Sequence, residues 1–72
     1  MNEAIAELTV AVRLKPEDVM VRNNLGSALM SAGRFDEAIA QFSEAIRLRP
    51  DLPQLRGNLD MALTQRRNGG KQ

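Results

Sequence analysis

The chain contains no cysteine, histidine, tryptophan or tyrosine, and each absence removes a class of function. Without cysteine there is no disulfide, no thiol nucleophile and no thiolate metal site. Without histidine, the commonest metal ligand and the usual proton carrier near neutral pH are both missing. Ser27, Ser31 and Ser43 have no convincing base at hand, and the Asp and Glu residues sit mostly at expected helix starts, where they read as caps and solvated charge. The sequence therefore predicts a chain that is not an enzyme, with no cofactor and no metal site.

Charge of one sign is lacking too. Ten basic and nine acidic residues leave a net charge of +1, scattered along the chain rather than gathered into the basic face that phosphate backbones require. No nucleic-acid partner is expected. No apolar run approaches the roughly 18 residues of a membrane span, and the segment after Met1 is acidic rather than basic and then apolar. No membrane partner is expected either, and the default compartment is cytoplasmic. At 72 residues a single core is marginal, and with disulfides and metals removed the remaining supports are oligomerisation or a longer parent protein.

What the chain does have is an internal repeat. Glu3 to Pro16 recurs as the similar stretch Glu37 to Pro50, an offset of 34 residues. The register continues, with Arg22 matching Arg56, Asn24 matching Asn58, Leu25 matching Leu59, Ala28 matching Ala62 and Leu29 matching Leu63. Every apolar pattern has helical spacing. Four helices are predicted, near Asn2 to Leu14, Asp18 to Ala32, Phe35 to Leu48 and Leu52 to Arg67, with no strand. Pro16 and Pro50 stop the first and third helices. Asp18 and Asp51 are candidate N-caps, Gly33 a left-handed C-terminal cap, and Pro53 a first-turn proline whose missing N–H costs nothing. Asn68-Gly69-Gly70 is expected to fray the last helix after Arg67. Leu25, Ala28, Phe42, Ala45 and Leu59 are expected among the most buried residues, with Leu63 also on an inward face. Arg22 and Arg56 are expected to lay their stems over the seam and reach water, Asp18, Glu17 or Asp51 with their heads.

Arg22-x2-Leu25-Gly26-x2-Leu29, then Gly33, Ala38-x3-Phe42, Ala45 and Pro50, resembles the tetratricopeptide repeat pattern W-x2-L-G-x2-Y, A-x3-F and P over 34 residues. Arg22 and Arg56 stand where that pattern has Trp, and Leu29 and Leu63 where it has Tyr. Asp60 replaces the Gly expected in the last helix, which suggests that no second helix approaches it and that this helix caps the array. The resemblance implies an all-α fold of antiparallel helix hairpins stacked as a short right-handed superhelix. It divides residues 1–67 into the second helix of one repeat (1–16), a complete repeat (17–50) and a terminal capping helix (51–67), with 68–72 a flexible tail.

The function implied by the resemblance is non-catalytic binding of an extended peptide or partner protein in a concave groove. Helical geometry gives that groove Met20, Asn23, Asn24, Ser27, Met30 and Ser31 from the second helix and Gln54, Asn58, Met61 and Gln65 from the fourth. Asn24 and Asn58, one repeat apart, form a potential ladder of amides for a peptide backbone. The methionines offer adaptable apolar contacts or simple packing. The Lys and Arg clamp that holds a C-terminal carboxylate in chaperone-binding members has no full counterpart here. The alternative is a homo-oligomerisation element, or a piece of a longer scaffold attached to another domain. In that case the first helix, lacking its hairpin partner, leaves Ile5, Leu8 and Val12 for a homodimer contact.

Overall fold

A computed structural model describes residues 2–69; Met1 and residues 70–72 fall outside the described residues. Four helices follow one another: α1 (Asn2–Leu14), α2 (Val19–Ser31), α3 (Phe35–Leu48) and α4 (Pro53–Gly69), with no strand among the described residues. Consecutive helices pack as antiparallel neighbours, and α2 also touches α4. The result is a flat slab whose Cα extents are 36 × 30 × 13 Å.

Local chemistry sets the boundaries. Asp18 stands just before α2 in extended backbone, and its Oδ1 accepts from the Met20 and Val21 N–H groups at 3.1 and 3.3 Å. Such a cap contributes about 1 kcal/mol. At the other end Gly33 takes φ 79°, where a side chain would be strained. The turn closes through Gly33 N–H to the Met30 carbonyl and Arg34 N–H to the Leu29 carbonyl, both 2.9 Å. This pair of bonds satisfies carbonyls that the helix end would otherwise strand.

Two boundary expectations are corrected. Asp51 does not cap α4, because Leu52 separates it from Pro53, the first helical residue. It instead faces Arg49, whose Nε and Nη2 donate to its two oxygens at 3.0 and 2.8 Å. Those bonds hold the Asp51 carboxyl at about 2, below its ordinary 3.8. The second correction is that α4 passes Arg67 and stays helical through Asn68 and Gly69. Arg66 Nη1 donates to Asp36 Oδ1 at 2.9 Å, and a Cβ on Gly69 would lie 3.3 Å from the Phe35 ring. The last turn therefore lies against the start of α3.

The core gathers Ile5, Leu25, Leu29, Ala38, Phe42 and Ala62, with Ala45 and Leu55 also fully buried. Its tightest contact is between α2 and α3, where a Cβ on Gly26 would fall 2.6 Å from the Phe42 ring. Glycine is what lets the two helices close on that ring. Asp60, at the Gly26 position of α4, is exposed.

Burial follows which neighbours each helix has, and this overturns part of the sequence reading. Ala28 and Leu59 are half-buried rather than central, and Leu63 is 39% exposed. Among the described residues no helix follows α4 to cover Leu59 and Leu63, and none precedes α1 to cover the Ala28 side of α2. Conversely Ala62 and Leu55, the α4 counterparts of Ala28 and Val21, are fully buried because the hairpin before them is present. Ile5 is only 7% exposed, so it is not part of an open stripe. Leu8 and Val12 are half-buried and packed against the same core. The large apolar residues that α1 does expose are Val10 and Leu14.

Arg22 has a structural post. Its Nε donates to the Pro16 carbonyl at 2.8 Å and its Nη1 to Gln41 Oε1 at 3.2 Å, tying the α1–α2 turn to α3. Its partners are thus a carbonyl and an amide rather than Glu17 or Asp18. Asp51, the acid expected near Arg56, is held by Arg49.

Candidate functional site

Between α2 and α4, on the side where the two helices touch, lies a hollow of about 370 Å³. Six of the expected groove residues line it: Ser27, Met30 and Ser31 from α2, and Asn58, Met61 and Gln65 from α4. They converge because Met30 and Asn58 sit on facing sides of α2 and α4, where both are half-buried. Phe35 and Phe42 of α3 complete the lining. Phe42 is fully buried, so it forms the floor, and half-buried Phe35 forms one wall. These two escaped the sequence reading because it drew the groove from the second and fourth helices alone and placed Phe42 in the core. The signal available was Phe35 itself, the first residue after the Gly33-Arg34 turn and one of only two aromatics in the chain.

The remaining expected residues are placed elsewhere. Asn23 is half-buried, and its Oδ1 accepts from Asn58 Nδ2 at 2.7 Å, which locks the α4 amide at the edge of the hollow. The hydrogen-bonded amide pair in this region is thus Asn23 with Asn58. The reason is rotational: α4 meets α2 on its Asn23 side, whereas Asn24 is exposed one position round the helix. Asn24 and Gln54 are exposed and do not line the hollow. Met20 is separate too, since it lines a second hollow of about 420 Å³ with Glu17, Asp18, Val19, Leu48, Arg49 and Leu52.

The first hollow carries no charged side chain. Two thioethers and two aromatic rings give it an apolar bed, and two hydroxyls and two amides surround that bed with donors and acceptors. A lining of this kind suits a neutral ligand with apolar side chains and unpaired backbone groups, and it offers no cation to clamp a carboxylate. Among the described residues no group of three His, Cys, Asp or Glu gathers to hold a metal, and no helix is long and apolar enough to cross a membrane.

The helix hairpin, its Gly33 turn and the Gly26–Phe42 contact reproduce the spacing of one known repeat, and the family model of the tetratricopeptide repeat matches residues 2–53. The chain belongs to the tetratricopeptide repeat family. No curated protein and no solved structure matches it. Tetratricopeptide repeats are in general protein–protein interaction units and typically non-catalytic. The match spans α1, α2, α3 and the first residue of α4, so α4 is a repeat helix by its 34-residue register and its packing on α3.

Proposed function

We propose that this tetratricopeptide repeat chain holds an extended, uncharged peptide segment of a partner protein in the hollow between α2 and α4. The observation that carries the reading is the lining: apolar Met30, Met61 and Phe35 beside polar Ser27, Ser31, Asn58 and Gln65, with no charge among them. Methionine adapts to varied side chains, and the amides and hydroxyls complement the N–H and C=O groups of an extended chain. A volume of about 370 Å³ lies at the small end of the roughly 300–1,000 Å³ of ligand pockets. It therefore suits a few residues of peptide rather than a folded domain. On this reading residues 17–50 are the complete repeat, 1–16 and 51–67 flank it as single helices, and the chain works in the cytoplasm without catalysing a reaction.

Selection of random peptides on the immobilised chain tests it. Selected peptides should lose at least about tenfold in affinity on Met61→Glu and on Ser31→Arg. Met20→Glu, at an exposed methionine on the other hollow, should leave them bound. Peptides that bind both groove variants as tightly as the native chain would contradict the reading.

Self-association through the terminal helices is a second reading, favoured by the exposure of Val10, Leu14 and Leu63. Because Ile5 is covered within the chain, such a contact draws on the half-buried Leu8 and Val12 rather than on Ile5.

A further inference from the structure

The internal repeat shows what each open helix face would accept. In α3, Ala38, Phe42 and Ala45 are fully buried. Their counterparts in α1 are Ala4, which is exposed, and Leu8 and Ala11, which are half-buried. In α2, Leu25, Gly26 and Leu29 are buried, with Gly26 set against Phe42 of α3. Their counterparts in α4 are half-buried Leu59 and exposed Asp60 and Leu63. The open face of α1 is thus one that an α2-type helix covers, and the open face of α4 is one that an α3-type helix covers. The chain carries one of each.

From this complementarity we infer that copies associate head to tail, α4 of one packing antiparallel on α1 of the next to complete a repeat in trans. The inference gives the self-association reading a geometry and is independent of the peptide hollow. Charge supports the pairing. Within the chain, Arg22 of α2 donates to Gln41 of α3 at 3.2 Å. One repeat along, the donor is Arg56, and one repeat back, the acceptor is Glu7. The bond that joins α2 to α3 becomes an Arg56–Glu7 ion pair between copies. Both residues are exposed, and among the described residues neither joins an ion pair within the chain. The antiparallel arrangement also brings the basic end of α4, with Arg67, towards Glu3 at the start of α1.

Volumes agree in part. Where Gly26 meets Phe42, the contact in trans sets Asp60 against the smaller Leu8. Asp60 adds more bulk over glycine than Leu8 gives up relative to phenylalanine, so the two helices sit farther apart than α2 and α3, and the carboxylate loses water on docking; both keep the association weak and reversible. Because the two surfaces lie on the end helices, which do not touch each other within the chain, the contact passes from copy to copy and does not close at a dimer.

Sedimentation of the 72-residue chain in low salt, from about 10 µM to 1 mM, is the test. The average mass should climb from 8.0 kDa past that of a dimer without levelling. Glu7→Arg and Arg56→Glu should each weaken association about tenfold, and the double variant should recover to within about threefold of native. Asp60→Gly should tighten it about fivefold. Circular dichroism confirms that each variant is folded. A monomer throughout overturns this geometry and self-association together. An association that levels at a dimer, is indifferent to the single reversals or is not recovered by the double one overturns this geometry while leaving self-association standing.

Discussion

Alanine at two helical glycines should shift stability in opposite directions. Gly26 and Gly57 both sit inside helices, where replacing Gly by Ala gains about 0.5–1 kcal/mol from backbone entropy. At Gly57 nothing lies within 4 Å of the new Cβ, so that gain is kept in full. At Gly26 the Cβ would fall 2.6, 2.8 and 2.9 Å from three atoms of the Phe42 ring. That ring is fully buried and cannot swing away, so α2 and α3 must separate. Overpacking of this kind costs about 1–3 kcal/mol, leaving Gly26→Ala net destabilising by about 1–2 kcal/mol. For a domain of this size the melting point falls by about 4–8 °C per kcal/mol. Thermal unfolding followed by circular dichroism should show Gly57→Ala melting above the native chain and Gly26→Ala well below it. A Gly26→Ala variant as stable as the native chain would refute the close approach of α2 to Phe42.

Phe42→Ala empties the centre of the core and the floor of the hollow, and its cost of about 3–5 kcal/mol rivals the whole stability of a small domain; a helical spectrum at 25 °C close to native would contradict its placement. Asp51 should titrate near pH 2, as its Arg49 bonds require, and a midpoint near 4 in its carboxyl carbon resonance would rule those bonds out. Since the folded value lies below the ordinary 3.8, the pair supports the fold above about pH 4 and that support is lost as pH falls towards 2. Asp51→Asn should remove this part of the acid sensitivity.

The helices were legible in the sequence because their signals are local. Apolar spacing, Asp18, Gly33, Pro16, Pro50 and Pro53 each act within a turn or two, and the observed ends of α1 and α3 coincide with the expected ones. The core of α2 and α3 was legible because that repeat has a neighbour on each side. Burial at the ends was not, since it depends on neighbouring helices that are not found among the described residues. Leu25 and Leu59 share a repeat position, yet one is buried and the other half-buried. The same limit explains Ile5, whose cover comes from α2 rather than from its own hairpin. In the hollow, the period identified the strip of α2 and α4 that faces solvent, but not the hydrogen bond between Asn58 and Asn23. The end of α4 was missed because its last turn meets α3 through contacts distant in sequence, Arg66 with Asp36 and Gly69 beside Phe35.

The central claim is that partner peptides enter the hollow between α2 and α4, and methionine methyl resonances test it most directly. Met30 and Met61 line that hollow, whereas Met20 lines the other one. In the labelled native chain, adding a selected peptide should shift the Met30 and Met61 ε-methyl signals to saturation and leave Met20 in place. A peptide that saturates with Met20 shifted and Met30 and Met61 unmoved would contradict the account.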